Sequence, residues 1–205
     1  MMIEDIGGRV ASVWQGLRPV TKKMLTRAFQ TTNSVPVIAP SPKFQYDAHA
    51  DWEVSRLLTA LDEQSRSKES RSNADKLSEI SQMANTCVRV LVNQTASAEV
   101  FIQLAERAIR SNDYNQLDKL ADLLSSRFSA SEIAEIIRQS EMPQIRAIAY
   151  ETLAMLPLSM VTPLLDDPLY SGIAASSLEQ KAFEFDNEEA REILERFDLE
   201  NEISE

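Results

Sequence analysis

Cysteine and histidine occur once each in this 205-residue sequence. One thiol cannot close an intramolecular disulfide, so the chain suits a reducing interior or is indifferent to redox conditions. Cys87 and His49 stand too far apart in the chain to suggest a metal set or a nucleophile–base pair. Glycine is scarce as well, at four residues, and the spacings that cradle phosphate in P-loop and dinucleotide-binding folds do not occur. No apolar run approaches the roughly 18 residues of a membrane-spanning helix. The opening Met-Met-Ile-Glu-Asp-Ile lacks the basic and compact apolar regions of a secretory signal, so a cytoplasmic location is expected. Basic residues are the minority, 21 against 32 acidic ones for a net charge of −11. That balance argues against nucleic acid as a partner, because phosphate binding needs a concentrated basic face.

What remains is rich in helix formers, and 43% of the residues are hydrophobic, enough to support a core. The expected fold class is all-α. Charge is spread unevenly. Residues 1–30 carry five basic and two acidic side chains, whereas residues 184–205 carry two basic and ten acidic ones. In the basic stretch Ile6, Val10, Val13, Trp14 and Leu17, then Val20, Met24, Leu25 and Phe29, keep a helical period broken at Pro19, which reads as an amphipathic helical arm. Gly7, Gly8 and Gly16 each lower its intrinsic helicity by roughly 1 kcal/mol relative to alanine, so it needs a partner surface. That surface is the rest of the chain, a second copy, another protein, or an anionic membrane, with Trp14, Arg18, Lys22, Lys23 and Arg27 as candidate contacts.

Residues 31–73 read as linkers. Pro36, Pro40 and Pro42 favour extended backbone. A short helix over 51–61 has Trp52, Val54, Leu57, Leu58 and Leu61 as its apolar set, and the Ser- and Arg-rich stretch after it has no apolar side chain to bury and reads as mobile. From Ala74 to the end, helices follow closely. Asn73, Ser97, Asn112 and Ser129 are the expected caps, Ser129 with Glu132 forming a capping-box pattern, and Asp186 with Glu189 opens the last helix. Inward stripes include Ile80, Ala84, Cys87 and Leu91, then Phe101 and Leu104, then Leu120 and Leu124, then Ile133 and Ile137.

Within this region one segment repeats. A shift of 25 residues superposes Pro143 on Pro168, Ile148 on Ile173, Ala149 on Ala174 and Leu153 on Leu178. Each copy opens with a proline, which suits a first helical position, and each shows an apolar helical face. Together with the Leu164-Leu165-Asp166-Asp167 ending, Pro143, Arg146, Ala149 and Leu153 resemble the HEAT repeat and its shorter bacterial relatives. The likeness is confined mainly to residues 143–178. It implies a short right-handed α-solenoid of about four helix pairs, beginning near residues 74, 113, 143 and 168 and capped by an acidic last helix. In the family the small residue, here Ala149 and Ala174, lets helices approach closely, and an Asp and an Arg, here Asp167 and Arg146, link units. Met142 and Ser171 depart from the pattern.

No residue set reads as an active site. Cys87 falls on an apolar stripe and reads as a buried thiol. His49 beside Asp47 and Asp51 reads as solvated loop, and Asp166 and Asp167 as helix-terminal carboxylates. No catalytic, metal or cofactor residue is expected. The resemblance implies a non-catalytic adaptor or scaffold that holds a protein partner in a groove lined by residues 97–111, 131–140 and 158–165. The alternatives are a peripheral membrane adaptor anchored by the arm, and a HEAT-like lyase or chaperone. The acidic end is a solvated cap, a docking patch for a basic partner, or a clasp on the basic arm.

Overall fold

The structure, a computed structural model, describes residues 3–32 and 46–204. The proline-rich stretch at 33–45 lies outside them. All regular structure among the described residues is helical, and no helix there is long and apolar enough to cross a membrane. The chain divides into two compact units, Met1–Thr95 and Ala96–Glu205.

The first unit begins with a 3-10 turn at Ile3–Asp5, then α1 (Gly8–Gly16), α2 (Pro19–Thr32), α3 (Ala48–Ser65), the one-turn α4 (Lys68–Arg71) and α5 (Ala74–Gln94). Its centre is α3. Val54, Leu57, Leu58 and Leu61 are fully buried, and an apolar face that broad needs more than one partner. α1 and α5 pack against it, and α2 packs on both α5 and α3. The arm contributes Ile6, Val10, Leu17 and Leu25 to this core, and α5 contributes Ile80, Ala84, Cys87 and Leu91. At Gly7 a Cβ would fall 2.4 Å from the Gln64 side chain, so the missing side chain lets α1 start close against the end of α3.

Four expectations change here. The boundary falls after Thr95, not before Ala74, because α5 shares a core with the N-terminal helices. The helix expected over 51–61 runs from Ala48 to Ser65, opened by Asp47, whose carboxylate accepts the Ala50 N–H at 2.8 Å. The stretch read as mobile continues α3 and forms α4, where Ser70 is buried and Ser67 caps its backbone N–H. Trp52, expected inside, stands 48% exposed, with the Arg56 guanidinium 4.5 Å above its ring.

The second unit comprises α6 (Ala98–Arg110), α7 (Tyr114–Arg127), α8 (Ala130–Gln139), α9 (Pro143–Met155), α10 (Leu158–Val161) leading into a 3-10 turn at Thr162–Asp166, α11 (Ser171–Glu184) and α12 (Glu188–Ser204). Its core runs through Phe101, Leu104, Leu120, Leu124, Ile133, Ile136, Ile145, Leu153 and Leu178. Phe101 and Phe128 meet edge-on at 5.7 Å. Packing runs between successive helices, α6 on α7, α8 on α9 and α11 on α12. It also runs between alternate ones, α6 on α8, α7 on α9 and α9 on α11.

Caps explain the boundaries. Ser129 accepts the Glu132 N–H as its pattern predicts, but the Glu132 carboxylate reaches the Ala98 N–H at 2.7 Å and ties the start of α8 to that of α6. Ser97 is therefore relieved of the capping role expected of it. Asn112 does not cap α7, since Asp113 does. Asn112 instead ends α6 with φ 55°, its N–H donating to Ile109 and that of Asp113 to Ala108. This is the Schellman pairing, in which asparagine tolerates the left-handed position usually given to glycine. The same exchange occurs before α12, where Asp186 takes φ 50° and Asn187, not Asp186, caps through the Ala190 N–H.

The two repeat copies keep their buried faces in register. Ala149 and Leu153 on α9 and Ala174 and Leu178 on α11 are all fully buried. Their openings differ. Pro143 is the first residue of α9, whereas Pro168 sits in a turn three residues before α11, where the Asp167 carboxylate accepts the Leu169 N–H at 2.9 Å. Asp167 is thus turned onto its own backbone and Arg146 is exposed, so the expected Asp–Arg link is absent. Tyr170 bridges helices in its place, its hydroxyl donating to Glu135 of α8 at 3.0 Å.

Candidate functional site

The candidate contact residues of the arm separate on folding. Trp14 is half-buried with its ring centroid 6.4 Å from that of Phe29. Lys22 reaches the Gln15 carbonyl at 2.9 Å. Lys23 and Arg27 lie on the exposed side of α2 beside Val20. Arg18 goes elsewhere. Its backbone N–H donates to Glu53 Oε1 at 2.6 Å, its Nε to Glu53 Oε2 at 3.0 Å, and its two terminal nitrogens form a paired contact with Asp47 at 3.0 and 2.7 Å. The Thr21 hydroxyl also donates to Glu53. One guanidinium thus joins the α1–α2 corner to the first two turns of α3, in the planar two-point geometry that suits arginine.

Glu53 is 2% exposed. Burial alone would raise its pKa, but the hydrogen bonds from Thr21 and Arg18 outweigh that and hold it below the usual carboxylate range. Arg18 and the Ala50 N–H hold Asp47 well below that range too. Asp51 is buried with a different set of partners, accepting the Tyr46 hydroxyl at 2.7 Å and the Thr95 hydroxyl at 2.8 Å. No cation reaches it in these contacts, so burial prevails over its hydrogen bonds and its pKa rises. Sequence reasoning passed over both carboxylates as core residues. The available signal was spacing, since Asp51 lies three and seven residues before Val54 and Leu58, and Glu53 four before Leu57, on the stripe that α3 buries. His49 stands exposed with Nε2 3.9 Å from Glu53, and Cys87 is fully buried on α5.

This constellation joins the α1–α2 corner to α3. No three His, Cys, Asp or Glu side chains among the described residues converge as a metal site would require. The surface of the second unit differs. Tyr114, Met155, Met160, Leu169, Phe183, Phe185 and Leu199 are exposed. Of these only Met160 belongs to the helices expected to line a groove. Phe183 is the most exposed, at 75%, and it borders a groove of about 300 Å³ between α11 and α12. Glu179, Ala182 and Phe183 of α11 face Arg191, Leu194, Glu195 and Asp198 of α12. These positions follow helical spacing on both sides, so each helix supplies one ridge. Ala182 and Leu194 are buried and form the floor, while Glu179, Glu195 and Asp198 are exposed. Arg191, the one cation of the lining, is turned to Glu188 and lies 3.7 Å from Asp186.

The other polar centre of this unit lies around Glu135. Arg138 binds it through two nitrogens, and Gln139 and Tyr170 also donate to it. Arg138 is the main cause of its pKa of about 2. Of the residues that define the repeat, Ala149, Leu153, Ala174 and Leu178 lie in the core, and Pro143 is exposed at the start of α9. Comparison with family models, with curated proteins and with solved structures finds no match for the chain.

Proposed function

We propose that the chain is a non-catalytic adaptor or scaffold whose second unit holds a protein partner, built as a short HEAT-like stack of helix pairs. The observation that carries this reading is the set of large apolar side chains left in water on this unit, among them Phe183 at the edge of the groove between α11 and α12. Exposed apolar surface gathered at a groove marks an interaction site. The packing of alternate helices, α6 with α8 and α7 with α9 and α9 with α11, supports the stacked arrangement, because a solenoid joins each repeat to its neighbours in that way. The full burial of the small residues Ala149 and Ala174 supports it too.

The arm gives less support to a membrane role. The apolar residues that a lipid surface would take up, Ile6, Val10, Leu17 and Leu25, are buried within the first unit. What α2 leaves outside is Val20 with a few basic side chains, a weak attraction by itself.

Two measurements test the proposal. Chemical crosslinking in the native cells, followed by capture of the full chain and mass spectrometry, should recover defined partners joined mainly to residues within 96–205. Recovery of the chain without crosslinked partners would overturn it. In parallel, the full chain should fail to float on neutral or anionic vesicles. Salt-sensitive flotation on the anionic ones would move the membrane adaptor to first place.

A further inference from the structure

We infer that the groove between α11 and α12 receives a basic amphipathic helix from a partner protein, one large apolar residue of which seats between Phe183 and Leu194. This rests on the protein-binding reading above and names the chemistry of its partner. The groove has an apolar floor of Ala182 and Leu194 and one aromatic wall, Phe183, exposed by 75%. A volume of about 300 Å³ lies at the small end for a ligand pocket. It matches one or two side chains better than a cofactor. Two parallel ridges at helical spacing, with a trough between them, form the surface on which a third helix lays its apolar stripe.

Charge selects the kind of helix. Glu179 on one wall and Glu195 and Asp198 on the other make no ion pair within the described residues, while Arg191 is engaged by Glu188. The groove is therefore an apolar slot between unpaired carboxylates. An anionic lipid surface or a nucleic acid would be repelled, and an acidic helix would place like charges together. Lysines or arginines flanking an apolar stripe would find carboxylates on both sides, which speeds encounter and fixes orientation. The basic arm of the same chain is a poor occupant, since Arg18 is held by Glu53 and Asp47 and the arm's apolar stripe is buried in the first unit.

The test uses fluorescence polarisation with the full chain and a labelled synthetic Leu/Lys/Ala peptide of about five helical turns, its leucines at helical spacing. Two control peptides carry the same composition scrambled, or Glu for Lys. Binding of the first peptide alone is expected, weakened about tenfold by Phe183→Ser and again by Glu195→Lys with Asp198→Lys. Because all three side chains are exposed, the variants should melt as the parent does. Equal binding of the scrambled or acidic peptide, or binding that ignores both variants, overturns the inference. To separate its failure from that of the broader reading, a photocrosslinking residue is placed at Phe183 or at Met160 in the native cells. Adducts at 160 only overturn the groove and leave the scaffold standing. Adducts at neither overturn both, and an adduct with a second copy of the chain overturns the stated partner. An adduct at 183 that the Leu/Lys peptide competes away supports it.

Discussion

In residues 1–95 two carboxylates lie in the core, whereas in residues 96–205 the buried side chains are mostly apolar, Lys181 being the buried charge among the described residues there, and a series of aromatic, leucine and methionine side chains stands in water. Each unit departs from the usual partition of side chains, chiefly in opposite directions. Burying Glu53 and Asp51 costs desolvation that only hydrogen bonds and a guanidinium can offset. What it gains is register, since Arg18 can meet Asp47 and Glu53 at once only when the α1–α2 corner sits along the first two turns of α3. The second unit leaves Phe183, Met155 and Leu169 exposed, at a cost in solubility that binding a partner would recover. The first unit turns its buried carboxylates inward, on its own assembly, and the second presents large apolar side chains outward.

The contrast can be broken from either side. The largest effect is expected from Leu153→Ala, which empties a fully buried position in the apolar core and should cost about 3 kcal/mol. Amide exchange in peptides from residues 96–205 measures it. Glu53→Ala should follow at about 2 kcal/mol, because it strands the Thr21 hydroxyl and the Arg18 backbone N–H. Both tryptophans, Trp14 and Trp52, lie in the first unit, so denaturant titration followed by tryptophan fluorescence reads that loss. A fall no larger than that of a typical surface substitution would mean that the ionic corner does not hold the arm.

Acid should divide the buried carboxylates by sign. Asp51 has a folded pKa raised above its unfolded value, so its ionised form weakens the first unit at neutral pH. That penalty lifts as pH falls through the raised pKa. Glu53 has a lowered folded pKa, so its contribution is complete above the unfolded value of about 4.3 and is lost as pH drops through the lower folded one. Stability of the first unit should therefore peak in mild acid, and Asp51→Asn should flatten the rise from neutral pH to that peak. In the second unit Glu135, with its pKa of about 2, loses its contribution between about pH 4.5 and 2. The smallest effect belongs to Phe183→Ser, within about 0.5 kcal/mol of zero on thermal melting, since its ring is mostly in solvent. A large loss there would show that Phe183 serves the fold.

The helices were legible in the sequence because their stripes and caps are local. Asn73 and Ser129 cap as their patterns predict, and the faces of α5 to α9 follow the apolar spacing. Long-range choices were not legible. Nothing in residues 1–30 announces that Arg18 will meet a glutamate 35 positions away, and a proline-rich stretch between them reads as separation. Trp52 reads as a core residue from its spacing, yet α3 buries Asp51 and Glu53 on either side of it, because Arg18 and Thr21 of the arm meet Glu53 and the hydroxyls of Tyr46 and Thr95 meet Asp51. Asn112 and Asp186 read as helix openers although each closes the helix before, since asparagine and aspartate suit caps and left-handed turns alike. The acidic end was visible from composition. The groove was not, because it depends on how α11 and α12 pair their ridges.

Cys87 turns the fold into its own recorder. It is fully buried on α5, and residues 96–205 contain no other thiol. A thiol reagent can modify the native chain only when the first unit opens, so the rate of labelling reports the frequency of that opening. Events confined to the second unit leave no mark. With a partner bound at α11 and α12, a changed labelling rate at Cys87 would show that news of the binding had travelled between the units, and an unchanged rate that it had stayed where it arrived.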